Sequence, residues 1–308
     1  MSMPFAARRL ALTLPVLLGV VTAVFLILHL VPGDPIDVML GEAAAPADRA
    51  TLRATLHLDE PLAVQYGRYL AGICRGDLGQ SIRDHRPVVR LISERLPATL
   101  ELLAGGVLVA LCIALPSGIA AALSAGRRLD AALRWIAVAG VAVPNFWLGP
   151  LLILIFAIGL GWLPVSGRGD PSHLVLPSIT LGTAMAGVLM RMTRSGWLDA
   201  LGEDHVRTAR AKGVGETAVV LKHTGRNATL PLLTVVGLQT GALLGGAVIT
   251  ETIFAWPGIG RLTLTAIQSR DYPLVQGCIL FIAAGYVFVN LVVDLLYGLL
   301  DPRIRVTA

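Results

Sequence analysis

Residues 99–124 read TLELLAGGVLVALCIALPSGIAAALS, twenty-six positions with one charge, Glu101, close to the start. At 1.5 Å per residue, about 20 helical residues cover a hydrocarbon core of roughly 30 Å. The run has no polar alternation, so it predicts a helix in lipid rather than a half-buried strand. Five more stretches of similar character lie at 10–31, 132–160, 174–190, 230–253 and 274–300. Together they predict an all-α polytopic membrane protein with six transmembrane helices.

Composition agrees. Of 308 residues 55% are hydrophobic and only 15% charged, with a mean hydropathy of +0.73. Soluble domains carry about 25% charge. The net charge of +5 rests on arginine, because Lys212 and Lys222 are the only lysines. The arginines lie mostly between apolar runs, which points to membrane topology and away from nucleic acid. Cys74, Cys112 and Cys278 are scattered, with no metal-ligand or disulfide spacing. The first stretch follows Arg8 and Arg9 but is too long for a signal peptide core, and it reads as a retained helix.

Orientation follows from the short loops. One side, with the N-terminus, residues 125–131 and their flank, residues 191–229 and the tail, holds fourteen Lys and Arg against three on the other side's short loops, Arg168, Arg261 and Arg270. Both termini are therefore expected in the cytoplasm. The long outer segment 32–98 shows helical spacing at Leu62, Tyr66, Tyr69, Leu70 and Ile73, and again at Val88, Leu91, Ile92 and Leu96. It is expected to form a small helical cap, with Pro61 and Pro87 at helix starts. On the opposite side, residues 203–213 (EDHVRTARAKG) predict one short helix with acids first, bases last and a glycine stop, followed by a second helix over 215–223. Gly241 and Gly245 have the spacing of a close helix contact, most simply within the chain.

Catalytic motifs are missing. Neither lysine stands in a P-loop, no His-Glu-x-x-His occurs, and no serine has the Gly-x-Ser-Gly setting of an intramembrane protease. Glu101 and Asp294 are the ionisable groups in or near the apolar runs, and both sit near predicted membrane ends, where snorkelling or a helix–helix hydrogen bond accounts for them.

A set of short strings then carries a resemblance. They are His29-Leu30-Val31-Pro32-Gly33-Asp34-Pro35, Gly76-Asp77-Leu78-Gly79-Gln80-Ser81, Arg95 to Leu102, Val143 to Gly149, Arg207 to Gly213, Glu251 to Gly260 and Leu299 to Arg305. In this order, the chain resembles along nearly its whole length the permease subunits of bacterial dipeptide, oligopeptide and nickel importers of the ATP-binding cassette class. The resemblance implies a type I importer permease fold: an N-terminal span and outer cap over 1–98, then the transmembrane domain over 99–308. Arg207, Thr208, Ala209, Arg210, Ala211, Lys212 and Gly213 are implied to couple the chain to an ATPase. Here Arg207 replaces the acid of the general coupling motif, and Leu230-Pro231 closes it after a longer gap than usual.

The implied partners are a second, similar permease, two cytoplasmic ATPases that hold ATP and Mg, and an external binding protein. This chain itself has no cofactor and no enzymatic site. Trp256, Pro257 and Gly258 are expected on the external face against the binding protein, with an interfacial anchor as the other role for Trp256. The implied cargo is di- or oligopeptide, with nickel, glutathione or haem as alternatives. An ion-coupled carrier or a membrane scaffold that moves no solute are the readings from other classes.

Overall fold

The computed structural model describes residues 5–30, 36, 40, 45–55 and 59–300, with side chains at all of these except 5–11, 27–30, 52, 55, 230, 294 and 296–300. The described residues of all six apolar stretches fall on helices, one of the stretches being broken. The first is α1 (Phe5–Leu30), whose described apolar part is Leu12–Leu26. Two short helices follow before the second apolar stretch, α2 (Pro46–Thr55) and α3 (Leu62–Cys74). Then come α4 (Val88–Leu123), α5 (Arg128–Ala142), α6 (Asn145–Leu152, continued by a π-helical turn Ile153–Gly159) and α7 (Ser172–Leu201). The short α8 (Asp204–Ala211) precedes α9 (Gly225–Ile253), which is entered through Glu216–Ala218 and a π-helical segment Val219–Thr224. The last two are α10 (Ile259–Gln268) and α11 (Tyr272–Leu300). No strand occurs among the described residues beyond one isolated bridge, Gln80 to Pro87.

The structure changes three expectations. The stretch 132–160 is not one straight span: α5 and α6 are bent by 100° at Val143-Pro144. Pro144 lacks an N–H and holds Val143 extended, at φ −79° and ψ 116°. The 99–124 stretch starts eleven residues earlier, because the expected cap helix from Val88 runs without a break through Pro97 into the span. The helix expected at 215–223 is the lead-in to α9 rather than a separate element. Pro61 and Pro87 sit at the N-cap, one residue ahead of the first turn.

Packing is organised by glycine. α4 lies along α7, and a Cβ at Gly182 would stand 2.5 Å from the Gly106 carbonyl oxygen; one at Gly118 would stand 2.6 Å from Thr193 Cβ. Lipid supplies no hydrophobic drive between helices, so close backbone approach and dispersion hold this seam. The core around it includes Leu102, Ala110, Leu181, Met185, Leu189 and Trp256. Gly241 meets the Tyr286 ring of α11, as expected of packing within the chain, whereas Gly245 faces open space.

Candidate functional site

α8 matches the predicted short helix. Glu203 is its N-cap residue, with Asp204 in the first turn and Arg210 in the last. Its end is a Schellman motif: Val214 N–H donates to Ala209 O at 3.2 Å, and Gly213 N–H to Arg210 O at 3.0 Å. Gly213 takes φ +75°, a left-handed conformation that costs a side-chain-bearing residue about 1–2 kcal/mol.

The helix has two faces. Val206 and Ala209 are buried and pack with Val219, Leu201 and Val214. Arg207, Thr208, Arg210, Ala211, Lys212 and Gly213 are exposed. Arg210 grips Glu216 with two hydrogen bonds, Nε at 3.1 Å and Nη2 at 2.6 Å, and this holds the Glu216 carboxyl below the usual carboxylate range. His205 bonds to the His223 carbonyl at 3.2 Å, and Asn227 Nδ2 donates to Glu203 at 3.3 Å. Ala209, expected among the coupling residues, is buried within this chain. It seats α8 on the lead-in to α9. Trp197 Nε1 donates to Val220 O at 3.3 Å and ties the same lead-in to α7.

A second constellation lies at the opposite end of the bundle, and it corrects an expectation. Trp256 is 1% exposed, and its Nε1 donates to the Ala98 carbonyl at 2.7 Å. Gly258 is buried and Pro257 half-buried. Trp256 and Gly258 are thus interior residues, neither a docking surface nor an interfacial anchor. They surround Glu251, whose carboxylate is fully buried. Glu251 Oε1 accepts from Thr99 Oγ1 at 2.8 Å, and Oε2 accepts from the Arg261 N–H at 2.9 Å; the Ile259 N–H donates to Thr99 Oγ1 at 2.8 Å. A carboxylate and a hydroxyl together satisfy orphan N–H groups of the first turn of α10. Substituting Trp256 by Phe is expected to lower thermal stability by about 1–2 kcal/mol, because the Ala98 carbonyl loses its donor. Thermal unfolding of the purified chain measures the loss.

Asp271 makes a similar knot nearby. It is 1% exposed and accepts from Ser81 Oγ at 2.5 Å and from the Ile82 N–H at 3.2 Å, which fastens the loop between α3 and α4 to the start of α11. Glu101 pairs with Arg168 at 2.8 Å, which accounts for its charge. The Asp294 side chain lies outside the described residues. So do Arg303 and Arg305.

The α8 end carries a third buried acid that sequence reasoning missed. Asp130 is 1% exposed and takes Arg194 Nε at 2.6 Å and Nη2 at 2.8 Å, the Gly126 N–H at 3.0 Å, and Arg134 at 3.3 Å. One signal was available: an acid in the first turn of a helix, amid a run of arginines, on the side otherwise marked by positive charge. Among the described residues no group of three or more metal-ligating side chains occurs.

Known proteins bear on these features. Two family models match, the binding-protein-dependent transport system inner membrane component over residues 114–306 and its N-terminal component over 2–103. The dipeptide transport system permease protein DppB of Alkalihalophilus pseudofirmus is 44% identical over 329 residues, covering 98% of this chain and 99% of that protein. The glutathione transport system permease protein GsiC of Salmonella paratyphi A is 45% identical over 301 residues, covering 98% of each. The Escherichia coli K12 dipeptide transport system permease protein DppB is 41% identical over 333 residues, again covering 98% of each. Among solved structures, the MetNI methionine ABC transporter in an inward facing conformation shares the fold, with a TM-score of 0.57 and 16% identity over 68% of this chain and 96% of that one. With the two family models matched over nearly the whole chain and relatives 41–45% identical along their full length, the chain belongs to the inner membrane components of binding-protein-dependent transport systems.

Proposed function

We propose that this chain is one of two permease subunits of an importer energised by ATP, carrying di- or oligopeptides across the cytoplasmic membrane. The observation that carries this reading is α8. It presents a basic, exposed face (Arg207, Arg210, Lys212) while its other face is locked to both α7 and α9 through the lead-in at 216–224. A helix held this way transmits a push to two spans, where a loose loop would absorb it. Relatives that align over the full chain, named for dipeptide and glutathione transport, support peptide-like cargo. Nickel and haem are the further cargo alternatives.

In this reading the end with α8 is cytoplasmic and both termini lie there, supported by the positive charge of that side. Two ATPase subunits, holding ATP and Mg, dock on α8 and on the equivalent helix of the second permease, and this chain has no cofactor. The unit 1–98 forms the outer part and 99–308 the transmembrane domain; α4 runs across that boundary and makes them mechanically one piece. The binding protein meets the exposed parts of the outer segment and of α10, such as Arg261, Thr265 and Gln268, in place of Trp256 and Gly258.

The test is uptake of labelled dipeptides into vesicles that hold this chain with its second permease, the ATPases and the binding protein. Uptake should require ATP, survive collapse of the proton gradient and vanish when any one component is left out. ATP-dependent uptake by this chain alone, or uptake abolished with the proton gradient, overturns the proposal. Crosslinks from a loaded binding protein are expected on Arg261→Cys and Gln268→Cys, and crosslinks confined to α8 reject the orientation.

A further inference from the structure

A cleft of about 270 Å³ between α5 and α7 is lined by Ala131, Arg134, Trp135 and Val138 of the first helix and Arg191 of the second. It lies at the α8 end of the bundle, beside the buried Asp130–Arg194 pair. The charges do not cancel there. Asp130 already takes two bonds from Arg194 and one from a backbone N–H, and Arg134 reaches it only from outside, with its side chain 53% exposed. Arg191 is exposed and has no carboxylate within ion-pair distance among the described residues. Arg127 and Arg128 are exposed one to two turns away. Three guanidinium groups around one carboxylate leave two positive charges.

The remaining wall is apolar and bare. Trp135 is 74% exposed, and Ala131 and Val138 complete the wall. An exposed Trp beside arginines at the end of a membrane helix sits where indole rings favour the headgroup layer. Guanidinium forks match phosphate oxygens in geometry and charge. A ligand that satisfies both halves has an anionic phosphate continued by hydrocarbon. Basic pockets between membrane helices take lipid headgroups on these grounds.

We propose that this cleft holds the phosphate of an anionic membrane phospholipid, with Arg134 and Arg191 donating to its oxygens and the Trp135–Val138 wall lying against its first acyl carbons. The lipid joins the outside of α5 to α7 next to the internal Asp130–Arg194 bond, so two ties hold the same pair of helices. The inference needs only that α5 and α7 lie in a bilayer, and it is independent of cargo and of which face is cytoplasmic.

The experiment uses the assembled transporter in nanodiscs of phosphatidylcholine or of phosphatidylcholine mixed with phosphatidylglycerol. One of the two lipids carries brominated chains in each sample, and tryptophan quenching is read. The Trp135 contribution is the part lost in Trp135→Phe. Brominated phosphatidylglycerol should quench it more strongly than brominated phosphatidylcholine at equal mole fraction, with each arginine favouring the anionic lipid about fivefold. Arg191→Gln should lower that preference about fivefold, and Arg191→Lys, which keeps the charge without the fork, should fall between. Arg191 is chosen because its removal leaves the Asp130 bonds intact. Should the Gln variant fail to assemble, the Lys variant alone decides. Equal quenching by both lipids, or a preference unchanged in both variants, overturns the proposal. Quenching of Trp135 by neither lipid shows the cleft covered by protein and also overturns it. Inorganic phosphate in pure phosphatidylcholine discs raises the melting temperature as much as phosphatidylglycerol only if the site takes a free anion, which overturns the lipid assignment. Failure of any of these leaves ATP-dependent uptake untouched, so the two readings are tested separately.

Discussion

Gly258→Ala is expected to leave little folded protein in the membrane, although it adds one methyl group. The backbone at Gly258 has φ −98° and ψ −177°, an extended conformation open to any residue, so conformational freedom is not the reason. Space is. A Cβ there would collide with the Glu251 carboxyl group, and one at Gly260 would stand 2.6 Å from Val248 Cα. Glu251 cannot retreat, since Thr99 and the Arg261 N–H hold its two oxygens. The cost should lie at or beyond the upper end of the ~1–3 kcal/mol typical of an overpacked interior. Gly67→Ala, in α3 with nothing near its Cβ, should be neutral or stabilising. The check is thermal unfolding of purified protein, with a double-mutant cycle. Glu251→Ala makes room for the methyl, so Gly258→Ala should cost far less on that background, and additive losses would refute the steric account.

The second large effect is expected at the seat of α8. Val206→Asp places a charge where the side chain is fully buried against Val219, and Ala209→Trp forces an indole into the same contact. Both should lift α8 off the lead-in to α9 without touching the spans. Insertion and subunit assembly should remain near normal while ATP-dependent uptake falls at least about tenfold, within the 5–150-fold range of ordinary coupling free energies. Gly213→Val should be weaker. Its Cβ meets nothing within 4 Å, so only the φ of +75° is strained. Arg210→Ala should be the mildest, because it removes an exposed pair with Glu216. Uptake and ATPase rates of reconstituted complexes would show the order. If Arg210→Ala proved the most damaging, α8 would act through its charges rather than through its seat.

The legible parts of this molecule were those set by neighbouring residues in sequence. The run 99–124 contains its own reason to be a helix in lipid, and residues 203–213 contain a charge polarity and a stop that the structure reproduces at Asp204, Arg210 and Gly213. The break at Pro144 was harder. Pro97, Pro116, Pro177 and Pro231 all sit inside unbroken helices, so a proline in an apolar run does not by itself mark an end. Trp256 was expected on the external face, with the headgroup layer as its other place, because local sequence marks only the end of the membrane at which it lies. What buries it is a carbonyl 158 residues earlier in the chain. The Asp130–Arg194 bond spans 64 residues and the Ser81–Asp271 bond 190. Such pairs follow from the arrangement of helices, and local pattern does not contain them.

The π-helical segment Val219–Thr224 has a consequence of its own. It carries more residues per turn than the helix on either side, and thereby sets the angular phase between α8 and α9. Rewinding the same six residues as regular α-helix would rotate everything ahead of them by about 100° about the axis, one residue's worth of turn. Val206 and Ala209 would then face away from their seat with every side chain unchanged. The segment works like a slack link that takes up one residue: a deletion that lets it wind as α-helix keeps the phase, whereas α-winding of all six residues loses it.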